Sequence, residues 1–419
     1  IEQLWHAGET HLEVEVASWN VAAINNNPFE YWISSEDQRY DELMHSVEKL
    51  LCDSSMDPSV SQVFTNSMFA ELLSEMSAAQ LGSLDKIEQL WHADFKHRPA
   101  FNGFLRDRSI AAKRLTSMPD RITNKINLKD GSSRYRPSAI SAYQGPIPSM
   151  QSWWQQWKYF MFHEPMDVFD GHSDGAACFA CCLLIPIPRS KYPALTVEEE
   201  AMSVQLQILC LAILDSIILF ILFTAGPATW RDVHLSLCKS LIFEKFANTC
   251  HVIANAYRGT HIFFIQEAAA FFLKVAQEHA QLRDRYSLLA PRALDGKRDQ
   301  NSLILVDKEF FDDKSAVDVT DTVLGGVGGL FLAAGDFLVV KLRDRAGRGW
   351  LLASFHGDSN GLSTEPALRL LFRSAASDFP DCLLLAGLDA NTHSVAPDGL
   401  SHGVDHFRRF LSGQRARSA

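Results

Sequence analysis

The sequence predicts an α/β protein in which a layered sheet core is interrupted by a long, mostly helical segment. Three observations carry this. Residues 12–21 (LEVEVASWNV) alternate apolar and polar and end in Trp19-Asn20, as a half-buried strand does. From Thr260 onward, short apolar or β-branched runs bounded by Gly, Asp and Asn alternate with helical patterns, the arrangement of an α/β layered domain. Between these two regions the apolar residues recur at helical spacing.

Taken in order, residues 39–52 and 62–81 read as amphipathic helices, and 94–136 is polar and basic (Lys96, Arg98, Arg106, Arg108, Lys113, Arg114, Arg121, Lys125). Trp153, Trp154, Trp157, Tyr159 and Phe160 open another helix, and 201–223 and 231–257 read as two long ones. Residues 261–265 form a short, fully apolar strand ending in Gln266-Glu267, followed by a helix from Ala268 to about Arg285. Runs at 302–306, 337–342, 350–355 and 383–386 are strands, and the middle pair is joined as a hairpin through 343–348. This divides the chain into a first strand and start of the core (8–33), a helical insert (34–229) and the rest of the core (230–419).

A chain of 419 residues has room for two or three domains, and its composition is globular. The net charge of −11 argues against a general nucleic-acid coat protein but leaves room for a local basic groove on an acidic body. The 8 cysteines are sparse and mostly lie in apolar runs, which reads as reduced thiols in an intracellular protein, cytoplasmic or nuclear. Cys178, Cys181 and Cys182 near His172 form the tightest cluster, but a second ligand pair at zinc spacing is missing. Residues 206–225 have the length of a membrane span, yet Asp215 sits at their centre and no Lys or Arg cluster flanks them; a buried core helix is the preferred reading over a membrane anchor. The basic stretch beside the tryptophans reads either as a nucleic-acid track with stacking rings or as a solvated face beside a packed aromatic cluster.

Polar residues end several separate strands: Asn20, Glu267, His356 with Asp358 and Asn360 close behind, and Asp389 with Asn391. In open α/β sheets ligands bind at the carboxyl ends of strands, so the set predicts one convergent polar site. Singly, Asn, Asp and Gly also serve as ordinary turn residues. Glu is a poor turn former, which makes Glu267 after five apolar residues the most unusual member.

These motifs, SWN at 18–20, IQE at 265–267, SFH at 354–356 and GLDAN at 387–391, resemble in content and order the endonuclease/exonuclease/phosphatase (DNase I-like) superfamily. The phrase SWNVAAINNNPFEYWI is similar to a protist subgroup of it. The resemblance implies a four-layer sandwich of two packed sheets flanked by helices, and metal-dependent hydrolysis of phosphate esters, with DNA or RNA among the substrates. It implies that Glu267 binds a divalent metal with the Asn20 carboxamide oxygen nearby, and that Asp389 orients or deprotonates the attacking water. Asn391 would hydrogen-bond the phosphoryl oxygen or the metal-bound water, His356 would donate to the phosphate, and Arg298 is the candidate phosphate clamp. Oxygen ligands of this kind suit Mg2+, with Mn2+ as the alternative ion.

Two departures bear on the expected activity. Members of the superfamily end on a strand carrying an Asp-His pair, whereas here Asp405-His406 comes early and follows no apolar strand, so the last strand is expected to be absent. The interval between Asn20 and Glu267 is far longer than the family's, hence the insert. The alternative reading is an interaction protein that keeps the phosphoesterase fold without its activity.

Overall fold

The computed structural model describes residues 13–22, 25–168, 178–294, 299–325, 332–393 and 403–414. The strands among them are β1 (Val16–Asn20), β2 (Lys125–Asn127), β3 (Ser133–Tyr135), β4 (Ile262–Ala268), β5 (Tyr286–Leu289), β6 (Asn301–Asp307), β7 (Phe311–Asp318), β8 (Phe337–Asp344), β9 (Gly349–His356) and β10 (Cys382–Asp389). The chain clusters into two units, Ile1–Ile24 with Glu244–Ala419, and Asn25–Phe243.

The first unit is mixed α/β and holds two four-stranded sheets, ordered β1-β4-β6-β5 and β10-β9-β8-β7. The short run at 261–265 shows why it reads as fully apolar. Ile262 and Phe264 point to one face of β4 and pack with Ile304, Val306, Leu338, Val340, Trp350 and Leu352, a core lined by both sheets. Phe263 and Ile265 point to the other face, against Cys250, Ile253, Phe272 and Leu282 from helices. A strand covered on both sides loses the polar half of its alternation. The outer face of the second sheet is covered likewise: Val339, Leu351, Ala353 and Phe355 pack on Ala367, Leu368, Leu371 and Phe410. Each such aliphatic or aromatic side chain contributes about 1.5–3 kcal/mol when fully buried.

Two parallel pairings position the site. β1 runs parallel to β4 with Asn20 opposite Gln266, and β10 runs parallel to β9 with Asp389 opposite His356. β1 and β4 in turn lie against β9 and β10. Gly387 makes that approach possible, since a Cβ there would sit 2.2 Å from the Phe264 Cβ. Gln266, buried under the site, ties the layers together: its Nε2 donates to Ser354 Oγ (3.2 Å) and to the Gly387 carbonyl (3.3 Å).

Several elements differ from expectation. The helix read over 231–257 is Trp230–Cys238, a wide turn at Lys239–Phe243 and Lys245–Asn255; no Gly or Pro marks the break. The helix after Glu267 also divides, into Ala270–Glu278 and Ala280–Arg285. β5 and β7 were not expected: β5 (YSLL) is only four residues long, and β7 (FDDKSAVD) is an edge strand with a polar face. Asp405 and His406 lie on the helix Val404–Gly413 and not on a strand, and His406 Nε2 meets Glu365 Oε2 at 2.6 Å.

The second unit is largely helical and is centred on the helix Ser203–Ala225, buried on nearly all sides. Asp215 in its middle is fully buried and fully partnered. It accepts from Arg136 Nε (2.7 Å) and Nη2 (3.1 Å), Ser138 Oγ (2.7 Å) and Trp157 Nε1 (2.9 Å). Arg136, also buried, reaches Asp120 with the same Nη2 (2.7 Å) and Thr123 with Nη1 (2.9 Å). A buried charge persists only when paired and hydrogen-bonded in this way. Trp153, Trp154 and Trp157 are core residues with their ring N–H groups bonded inside the protein, so they offer no faces to bases. Two residues of the basic stretch are paired with neighbouring acids: Arg98 with Asp94 and Asp107, and Lys113 with Glu199. In the cysteine cluster, burial pushes the Cys178 and Cys181 thiols up, away from the thiolate a metal takes; His172 lies outside the described residues.

Candidate functional site

The carboxyl ends of β1, β4, β9 and β10 meet, and with them Asn20, Glu267, His356 and Asp389, with Asn391 one residue beyond the strand. Glu267 follows a bulge in β4 between Ile265 and Ala268, with φ at 52°. Asn391 has φ at 48°. Left-handed backbone is uncommon outside glycine and costs about 1–3 kcal/mol where it is strained, and it gathers at functional sites. The bulge is what turns Glu267 out of the alternation, so that its side chain reaches the strand ends while Gln266 stays buried beneath.

Both oxygens of Glu267 are engaged. Oε1 accepts from Asn20 Nδ2 (2.9 Å) and stands 3.2 Å from His356 Nε2; Oε2 accepts from Gln300 Nε2 (3.1 Å). The hydrogen bond with His356 is the largest influence on this carboxyl. With the help of Asn20, the His356 charge and Gln300 it outweighs burial and holds the group below the usual glutamate range. Asp389 accepts from Asn20 Nδ2 at Oδ2 (2.8 Å) and from the Asn391 amide N–H at Oδ1 (3.0 Å). One carboxamide thus bridges the two carboxylates. The expectation that Asn20 offers its oxygen to a metal meets a different geometry. Its Oδ1 accepts the Ala22 amide N–H (2.8 Å), and two acidic neighbours draw the NH2 toward the site. Asn20 here orients Glu267 and Asp389.

His356 lies between two acids. Nε2 faces Glu267, and Nδ1 is 3.9 Å from Oδ1 of the buried Asp336. Burial presses the imidazole toward neutrality, but hydrogen bonding and charge from Asp336 and Glu267 prevail, and it is pushed up to about 9. Asn391 Nδ2 donates to the Gly357 carbonyl (2.7 Å) and lies 3.2 Å from His356 Nε2. Asp358 is spent on its own turn, accepting from Ser363 N (2.7 Å) and Asn360 N (3.2 Å), so the HGDSNG segment turns the chain and does not join the cluster. Arg298 lies outside the described residues.

Three members were not expected: Gln300, Asp336 and Lys245. The first two share a rule. β6 is antiparallel to β4 and β8 is antiparallel to β9, so the starts of β6 and β8 lie beside the ends that carry Glu267 and His356. A polar residue opening an antiparallel neighbour was the available signal. Lys245 sits in a helix and carries no such mark. Its ammonium donates to the Ala22 carbonyl (2.5 Å), and burial lowers its proton affinity while the Glu267 charge raises it.

Glu267, His356 and Asp389 each offer one ligand atom, all within 4.8 Å of one another. Ligands about 2.0–2.2 Å from a shared ion stand roughly 3–4 Å apart, so the set fits a divalent cation after a small closure.

A family model described as a domain of unknown function (DUF8234) matches residues 57–235. Comparison with curated proteins finds no match. Among solved structures, the chain is similar to D. rerio TDP2 complexed with a single-stranded DNA product (11% identity, 42% of this chain and 60% of that one, TM-score 0.29). It is similar to the endonuclease domain of TRAS1, a telomere-specific non-LTR retrotransposon (20% identity, 41% and 65%, TM-score 0.27). A third is an endonuclease/exonuclease/phosphatase from Bacteroides vulgatus (13% identity, 40% and 62%, TM-score 0.30). The chain spans less than two thirds of the length of each, and no residue role follows from likenesses this remote.

Proposed function

We propose that the first unit is a divalent-metal-dependent phosphoesterase of the DNase I-like, four-layer type, acting on a phosphate ester such as a DNA or RNA strand. The observation that supports this most is the convergence of Glu267, His356 and Asp389 within 4.8 Å at the ends of separate strands. Glu267 and Asp389 would hold the cation, which would neutralise charge on the phosphoryl and leaving oxygens. Asp389, held by Asn20 at one oxygen and by the Asn391 amide N–H at the other, would orient an attacking water and accept its proton. Asn391 presents its carboxamide beside the phosphoryl group, and Arg298 is the candidate clamp on the phosphate. Lys245 places its side-chain nitrogen at the loop that follows Asn20.

One feature favours a second reading, an interaction module that keeps this fold. All four carboxylate oxygens of Glu267 and Asp389 already have partners within the protein. Hydrolysis of bis-p-nitrophenyl phosphate, p-nitrophenyl phosphate and a single-stranded oligonucleotide, with Mg2+, Mn2+ or EDTA, separates the two. The enzyme predicts cation-dependent turnover of at least one ester that falls by about 10^2–10^4 in Glu267→Gln. Equal rates in both proteins sink the assignment, and no turnover of any ester favours the interaction module.

A further inference from the structure

We propose that His356 is a nitrogen ligand of this cation, with Asp336 as its supporting carboxylate, and that the site therefore selects a first-row transition ion over Mg2+. The inference rests on the phosphoesterase reading for the location of the cation and goes beyond it in the ligand set and the ion.

The geometry of the ring carries the argument. A histidine that only donates to phosphate must aim an N–H at the open mouth of the site. His356 instead aims Nε2 at Glu267 Oε1, 3.2 Å away, and its ligand atom falls within the same 4.8 Å cluster as those of Glu267 and Asp389. The opposite ring nitrogen faces Asp336 Oδ1 at 3.9 Å. A metal-bound histidine nearly always has its second N–H directed at a carboxylate or carbonyl, which sets the tautomer and the ring plane.

Asp336 is itself held in place. Its carbonyl accepts the His356 amide N–H (2.9 Å) and the Ser302 hydroxyl (2.9 Å), and its Oδ2 accepts the Ala333 amide (3.3 Å). It is buried at the turn into β8. Glu267, His356 and Asp336 thus form an ordered line from cation position to imidazole to carboxylate, drawn from β4, β9 and the turn before β8.

The donor set then decides the ion. Mg2+ prefers oxygen ligands in near-ideal octahedral array and keeps several waters. Imidazole suits first-row transition ions, whose affinity for mixed nitrogen and oxygen sites rises from Mn2+ through Co2+. One nitrogen among two carboxylates tips the selection toward Mn2+ or Co2+.

The test reads binding as well as turnover. Pulsed electron paramagnetic resonance of the full chain loaded with Mn2+ is expected to show coupling to a 14N nucleus, absent in His356→Gln. Calorimetry is expected to show Mn2+ bound at least about ten-fold tighter than Mg2+, with the margin shrinking by roughly 10–100-fold in Asp336→Asn. Bound Mn2+ without 14N coupling in the unaltered protein overturns the proposal and needs no variant that might misfold. That outcome leaves the phosphoesterase reading standing if Glu267→Gln still abolishes binding. Mn2+ binding unaffected by Glu267→Gln removes the cation site itself, and both readings with it.

Discussion

Glu267 is a strand residue turned out of its strand, and Asn391 a turn residue in left-handed backbone, so the two most strained positions in the site are also two that carry its chemistry. Asn20 ties the two acids together by giving both the same NH2 group. His356 makes the cluster sensitive to pH. In the cation-free protein its pKa is raised from 6.5 to about 9 by Asp336 and Glu267 against the opposing effect of burial. A raised folded-state value means that this stabilisation is complete below about pH 6.5 and is lost as pH rises through about 9. With EDTA present, urea unfolding midpoints are expected to fall between pH 7 and pH 10 by the equivalent of about 1–2 kcal/mol, after discounting for solvent screening, and to fall less in His356→Gln. A pH-independent difference between the two proteins over that range sinks the account. The expected site residues were visible because each ends an apolar run, and Glu267 stood out as a residue that turns seldom use. Gln300 and Asp336 were hidden because they open strands whose antiparallel pairing places them at the site, and pairing is not written in the local sequence.

At the level of elements, strands buried on both faces announced themselves, as did the edge strands β1 and β10, whereas the edge strands β5 and β7 did not. β4, β8 and β9 are continuous apolar runs because helices and the facing sheet cover them. β7 keeps charges on its open side, the way an edge strand avoids pairing with other chains, and so reads as loop. Helical periodicity at 231–257 ran through a break that no Gly or Pro marks. The stacking of β10 on β4 hinges on one missing side chain. A Cβ at Gly387 would overlap the Phe264 side chain at 2.2 Å, so Gly387→Val must push β10 off β4 or displace Phe264 from the inter-sheet core. The expected loss is about 1–3 kcal/mol or more of stability, together with cation affinity, because Asp389 ends the displaced strand. Unchanged unfolding and unchanged Mn2+ affinity in Gly387→Val contradict the stacking described.

Across the whole molecule, one sheet-bearing unit is assembled from the two ends of the chain, and a helical unit occupies the sequence between the hydrogen-bonded neighbours β1 and β4. That long interval was legible as helical, but its organising charge was not. Asp215 in an apolar helix read as an argument against lipid, whereas its structural role depends on Arg136, which is distant in sequence. Removing one partner of a buried, hydrogen-bonded ion pair leaves the other charge uncompensated and costs about 3–5 kcal/mol. Asp215→Ala leaves the buried Arg136 with Asp120 and Thr123 alone and also strips the acceptor from Ser138 and Trp157. Asp215→Asn keeps an oxygen for one or two of those donors and loses less. Trp91, Trp153, Trp154, Trp157 and Trp230 are all buried in this unit, so tryptophan fluorescence during urea unfolding reports chiefly on it. The midpoint is expected to fall in the order wild type, Asp215→Asn, Asp215→Ala. If Asp215→Ala unfolds at the wild-type urea concentration, the ion pair is not what holds the helix Ser203–Ala225 in the centre of its unit.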